Sequence, residues 1–321
     1  MDIQLIDTGF FHADGGAMFG AVPKTAWSRR YPSDEHNGCI LAMRSVLVRD
    51  GNGKTVLVDN GAGNKHLKQL GYYNFFDLVD LREELQRRGV ACEEVTDVVL
   101  THLHFDHCGY TTQKEEQPDG KPLFKMAFPN ATHWVSRAQW ENFLHPNALE
   151  TDSYFIENMQ AVADNGKLRL IEADTILCPG IDLRLFDGHT PGQIAPYITT
   201  PERTYVFAGD VIPLAASVSP GWISAYDTYP VVSYNEKMRM LEEAFIEKQA
   251  IIYCHDAYTQ CSTVKKVNDF FKSDQKVSPA GNKSFPCMKL KRYYHQTEEK
   301  ACYIIGESAI YLYLCLTIII N

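Results

Sequence analysis

Strand-rich runs alternating with amphipathic helical stretches predict an α/β chain in which sheets pack between helical layers. Two further observations support that class. The 321 residues are 45% hydrophobic, enough to bury a sizeable core. Expected strands ending near Thr101, Phe207 and Cys254 each run straight into histidine or aspartate, so polar side chains could converge on one rim of the fold.

The elements follow in order. CILAMRSVLVRD and KTVLVDNG flank Gly51-Asn52-Gly53 and read as a hairpin. Asp77 to Arg88 carries Leu78, Leu81 and Leu85 at helical spacing, and Gly89 closes it. Asp97 to Thr101 reads as a short buried strand. His133 to Ser136 reads as another, with a helix following from about Ala138. Leu183 to Phe186, Ala195 to Thr199, Thr204 to Ala208 and Ala250 to Cys254 continue the β pattern. Ser233 with Glu236 three residues later predicts a capping box for a helix carrying Met238, Leu241 and Phe245.

Beyond Phe271 the composition shifts. Ser273 to Thr297 is polar, with Pro279, Gly281 and Pro286. The expected division is therefore a domain over 1–272 and a C-terminal extension over 273–321. Ala309 to Ile320 is nearly all apolar, but as a helix it would span roughly 18 Å, short of the ~20 residues a bilayer crossing needs. A membrane partner is not expected.

The formal net charge is −9 with basic residues scattered, which argues against a nucleic-acid partner, since phosphate binding needs a positive footprint. The start, MDIQLIDTGFF, shows no secretory signal. Nine cysteines without a CxxC pair point to free thiols in a reducing compartment, the cytoplasm.

The segment with chemistry is Thr101-His-Leu-His-Phe-Asp-His-Cys-Gly109. It places His102, His104, Asp106 and His107 on a loop leaving a strand. His102 and His104 can turn to one point, Asp106 and His107 to a second. Nothing in strand or helix packing requires such a cluster, whereas a borderline-soft divalent cation takes imidazole nitrogen and carboxylate oxygen readily. Three more strand ends carry matching groups: His189 in Asp187-Gly-His-Thr-Pro-Gly192, Asp210 in Phe207-Ala-Gly-Asp, and His255 in Cys254-His-Asp256. Singly each would be an ordinary loop residue. Beside the cluster they become candidate ligands.

HLHFDHCG resembles the HxHxDH motif of the metallo-β-lactamase superfamily, and GHTPG, AGD and CHD resemble its remaining ligand segments. The resemblance covers roughly residues 3–271. It implies a four-layer αββα sandwich with the site at one edge between the sheets. It also implies two divalent metal ions, expected to be zinc: His102, His104 and His189 on the first, Asp106, His107 and His255 on the second, Asp210 bridging. Asp14 to Lys24 and Trp222 to Pro230 are similar to the branch of quorum-quenching acyl-homoserine-lactone lactonases and methyl-parathion-hydrolase-like enzymes. The implied reaction is attack of a metal-bridging hydroxide on a small-molecule ester, foremost a lactone, with Asp106 and Asp210 as catalytic residues. A phosphotriester or aryl ester is the alternative substrate, and a non-hydrolytic iron-loaded relative the alternative chemistry. Lactonases of this branch place a tyrosine three residues after the bridging aspartate. Here Pro213 stands there, which leaves Tyr226 or another group to meet the substrate carbonyl.

Phe105, Trp222 and Tyr226 are the candidate pocket residues, because such clefts are walled by apolar side chains. Cys108 and Cys254 read as small buried apolar residues. His12, His36, His66, His133, His145 and His295 read as surface or capping residues.

Overall fold

A computed structural model describes residues 1–118 and 120–279. Its first sheet, in spatial order β1-β2-β3-β4-β7-β8, is built from β1 (Asp2–Asp14), β2 (Gly38–Arg49), β3 (Thr55–Val58), β4 (Asp97–Val99), β7 (Thr132–Ser136) and β8 (Leu168–Ile171). A separate hairpin, β5 (Thr112–Glu116) with β6 (Pro122–Met126), lies between β4 and β7 in sequence. The second sheet takes β9 (Thr175–Cys178), β10 (Ile181–Phe186), β11 (Gln193–Thr199), β12 (Thr204–Phe207), β13 (Ala250–Ile252), β14 (Cys261–Val267) and β15 (Phe270–Lys276) in straight neighbour order. The helices are α1 (Gly15–Phe19), α2 (Lys24–Trp27), α3 (Leu81–Arg87), α4 (Phe105–Cys108), α5 (Arg137–Leu144), α6 (Gln160–Asp164) and α7 (Pro230–Ile246).

The layering follows from side-chain alternation along strands buried on both faces. Val46, Val48, Val56, Val58 and Val99 pack against Ile181, Leu183, Ile194, Ile198, Phe207 and Ile252, one sheet on the other. The intervening Leu47, Leu57 and Val98 point the opposite way, onto Leu81, Leu85, Phe143 and Val162 of the helices. On the far side Val206, Ile251 and Tyr253 turn outward to meet Met240, Leu241 and Ala244 of α7. Helices thus cover both outer faces of two stacked sheets, the expected αββα sandwich. Each buried Val, Leu or Ile in these layers contributes on the order of 1.5–3 kcal/mol.

Some local expectations are corrected. α3 begins at Leu81, because the Asp80 side chain accepts from Arg82 N as its N-cap, while Asp77 takes a positive φ of 49° that no helix accommodates. Ser233 and Glu236 do not cap α7. The helix starts earlier at Pro230, where the missing N–H costs nothing, and the Glu236 carboxylate accepts instead from the Asp187 and Gly188 amides at 2.9–3.0 Å. β15 runs through the boundary expected at 272 and pairs with β14 as far as Lys276. The apolar stretch 309–320 lies outside the described residues. Among the described residues no helix is long and apolar enough to cross a membrane, and the cysteines at 39, 92, 108, 178, 254 and 261 are free and buried.

Candidate metal centre

Four strand ends meet at one edge of the sandwich. β4 delivers the segment 102–107 from the first sheet, and β10, β12 and β13 deliver His189, Asp210 and His255 from the second. Two glycines let the chain come this close. A Cβ at Gly109, directly after the histidine cluster, would stand 2.1 Å from the Ala62 carbonyl oxygen. Gly209, directly before Asp210, has φ +51°, a conformation that side chains resist.

All seven predicted ligand residues are brought together. His102, His104 and His189 form one group able to hold a cation, and Asp106, His107 and His255 form another. Asp210 lies between them with its two oxygens divided. Oδ2 is 3.3 Å from His189 Nε2 and 3.9 Å from His102 Nε2, while Oδ1 is 3.1 Å from His255 Nε2 and 3.5 Å from His107 Nε2. Asp106 Oδ2 lies 3.5 Å from His255 Nε2.

The rings are oriented from behind. Thr101 Oγ1 donates its only proton to Asp59 Oδ2 at 2.8 Å, so at 3.0 Å from His102 it accepts from that ring's Nδ1. His107 Nδ1 donates to Asp59 Oδ2 at 2.7 Å, His255 Nδ1 to the Ala42 carbonyl at 2.8 Å, and His189 Nδ1 to Asp227 Oδ1 at 2.9 Å. In each of these rings the opposite nitrogen, Nε2, faces the centre, where it would give its lone pair to a cation. His102 Nε2 is buried without a hydrogen-bond partner, a costly state for an isolated core histidine and the expected one for a ligand. His104 is held the other way round, Nε2 toward Glu150 at 3.3 Å and Nδ1 inward, 3.3 Å from His189 Nε2. The donor set therefore fits two divalent cations.

Charge follows geometry. Burial, with the His107 and His104 imidazoles beside it, pushes the His102 pKa well down, which keeps it a neutral donor. Burial opposes ionisation of Asp210, yet His255, His107 and His189 hold its carboxyl well below the usual range. Cys254 Sγ sits 3.1 Å from both Gly209 O and Asp210 Oδ1. Burial and the Asp210 charge push its thiol far up, so it remains the neutral, buried cysteine expected.

Above the centre is a cleft of about 170 Å³, lined by Phe11, Met18, Tyr73, Phe105 and Tyr226 as well as by Asp106, His189, Asp210 and His255. Phe105 and Tyr226 thus occupy the wall expected of them. Trp222 does not. Its ring packs edge-on against Phe19, centroids 5.8 Å apart, and lies under the Arg30 guanidinium at 4.1 Å, a stack that spends its apolar face inside the fold. His133 also departs from expectation, being fully buried in β7. Residues not foreseen are Asp59, Asp227 and Glu150 behind the histidines and Tyr73 on the wall. The one available signal was Asp59 and Asp227 lying inside segments already singled out, Val58-Asp-Asn-Gly61 and Trp222 to Pro230.

A two-sheet sandwich with a cluster of imidazoles and carboxylates at its edge defines a class, the metallohydrolases of αββα architecture. The metallo-β-lactamase superfamily profile matches residues 44–110. An N-acyl homoserine lactonase of Bacillus thuringiensis is 25% identical over 218 residues, 63% of this chain and 76% of the relative. A solved probable metal-dependent hydrolase from Staphylococcus aureus superposes with a TM-score of 0.76 at 28% identity, covering 86% of this chain and 98% of that one. AidC, a dizinc quorum-quenching lactonase, superposes at 0.68 with 18% identity over 86% of this chain and 94% of its own. The chain thus resembles the metal-dependent hydrolases of the metallo-β-lactamase superfamily, and among them the N-acyl homoserine lactonases.

Proposed function

We propose that the protein is a dinuclear hydrolase of small neutral esters, most particularly lactones of the acyl-homoserine type, and that its metals are zinc. The observation that carries this reading is the inward convergence of four imidazoles, His102, His107, His189 and His255, on Asp210, whose two oxygens are shared between the two groups, with His104 beside His189. His102, His104 and His189 would hold one cation, Asp106, His107 and His255 the other, and Asp210 both. Such a pair supplies an activated water, lowering its pKa from 15.7 toward ~7, and polarises the ester carbonyl.

The remaining work falls to the chain itself. Phe11, Met18, Tyr73 and Phe105 line the cleft, displace water from the reacting ester and receive an apolar acyl portion, which strengthens every electrostatic interaction at the floor. No Lys or Arg lines the cleft among the described residues, whereas Asp106, Glu150, Asp210 and Asp227 do. An anionic substrate such as a β-lactam carboxylate finds no cationic anchor there, and a neutral ester meets no penalty. Asp106, on the cleft lining and beside His255, is placed to return a proton to the leaving oxygen. The resemblance to lactonases in sequence favours the lactone over the phosphotriester.

Initial rates on an acyl-homoserine lactone, an aryl ester, a phosphotriester and a cephalosporin test the assignment. The lactone is expected to be turned over fastest and the cephalosporin slowest, with all activity lost on chelation. A cephalosporin turned over fastest contradicts the substrate assignment. Undiminished hydrolysis by metal-free protein contradicts the reading as a whole.

A further inference from the structure

We infer that Glu150 is a positioning residue: its carboxylate fixes His104 as the Nε2–H tautomer, so that this ring alone among the five offers Nδ1 to the centre. The inference rests on the dinuclear reading above. Glu150 is 3% exposed and follows α5 on a loop, not on the strands that carry the histidines. Its Oε2 accepts from His104 Nε2 at 3.3 Å, Thr190 Oγ1 at 2.6 Å, Tyr154 Oη at 2.6 Å and Asn142 Nδ2 at 3.0 Å. Its Oε1 accepts from Asn147 Nδ2 at 2.5 Å. So many converging donors suit a carboxylate, which can only accept.

This geometry does two things. An acceptor at Nε2 demands a proton there, which leaves the His104 lone pair on Nδ1, the atom 3.3 Å from His189 Nε2. The same carboxylate holds Thr190, the residue after His189, and Gln139 ties Thr190 Oγ1 and Pro191 O to the Leu103 amide. The loop of the first sheet and the loop of the second are thereby joined behind one half of the centre, the half made by His102, His104 and His189. The other half has separate supports, Asp59 and the Ala42 carbonyl. Loss of Glu150 should therefore loosen one cation and spare its neighbour. Supporting groups behind metal ligands typically carry 10–100-fold in affinity.

The test uses Glu150→Gln, which keeps the shape but presents an amide to donors that need an acceptor, and Tyr154→Phe, which removes a single donor. Histidine tautomers are read by long-range ¹H–¹⁵N correlation in the metal-free proteins. Zinc affinity is read by chelator competition, with melting temperature as the check on folding. In the wild type His104 should be Nε2–H and the other four rings Nδ1–H. In Glu150→Gln the His104 signal should shift to mixed tautomers, and one of two zinc equilibria should weaken by roughly 10–100-fold while the other holds. Tyr154→Phe should weaken the same equilibrium by less. A wild-type His104 protonated on Nδ1, or a folded Glu150→Gln protein binding both ions as tightly as the wild type, overturns the assignment. A wild type binding fewer than two ions contradicts the dinuclear reading itself, while the tautomer of His104 in metal-free protein still decides the role of Glu150.

Discussion

On the floor of the cleft each imidazole has its outer nitrogen held by a named acceptor, whereas on the wall Phe11, Tyr73 and Phe105 are held by one another, ring centroids 5.7 and 5.2 Å apart. The floor is directional, since a ring turned by a fraction of a radian loses both its support and its lone-pair aim. The wall is dispersive and adapts by small shifts. Adjacent residues of one motif therefore belong to different regimes. His104→Ala should abolish hydrolysis, on the order of a 10³-fold fall in kcat/KM, equivalent to about 4 kcal/mol, with the melting temperature of metal-free protein nearly unchanged. Phe105→Leu, one position along, should keep kcat and metal content. Equal losses in the two variants would erase the distinction between floor and wall.

A buried histidine outside the cluster sharpens the same comparison. His133 is fully buried in β7, and burial lowers its pKa to about 4 from an ordinary 6.5. The unfolded chain then binds the proton more readily than the native one, so stability should be complete above pH 6.5 and fall as pH drops toward 4. The loss attributable to this residue is about 3 kcal/mol. Denaturant titrations at pH 7 and pH 4.5, wild type against His133→Gln, measure it. A variant with an equally steep acid decline would show that this ring is not the cause.

Smaller effects are expected on the wall and at the chain's end. Phe105→Leu should raise KM for a long-chain lactone several-fold, about 1 kcal/mol, and leave a short-chain lactone nearly unaffected, as steady-state kinetics on the two will show. Truncation after Pro279 should change the melting temperature and metal content least of all. Truncation after Gln275 should cost more, because it removes Lys276 from β15 and Val277 from the edge of the inter-sheet core. Identical behaviour of the two truncations would mean that the end of β15 contributes nothing.

The inner cluster was legible because its chemistry is dense in sequence, with four candidate ligands between His102 and His107 and the others at the ends of strands with clear apolar runs. Its supports were not. Asp59, Asp227 and Glu150 lie 48, 38 and 46 positions from the histidines they hold, and a lone acid carries no periodic signal. Trp222 was legible as a large aromatic but not in its direction, which a guanidinium from Arg30 decides. β14 and β15 were not among the expected strands, because Lys265, Lys266, Lys272 and Asp274 are exposed along them and blunt the apolar alternation with charge.

The proposed centre holds two cations shared through Asp210. Anomalous scattering at the zinc edge, from crystals of protein purified with zinc, tests it most directly. Two peaks are expected, one within coordination distance of His102, His104 and His189, the other of Asp106, His107 and His255, with Asp210 reaching both. A single fully occupied peak, or two peaks with Asp210 bound to neither or only one, would contradict it.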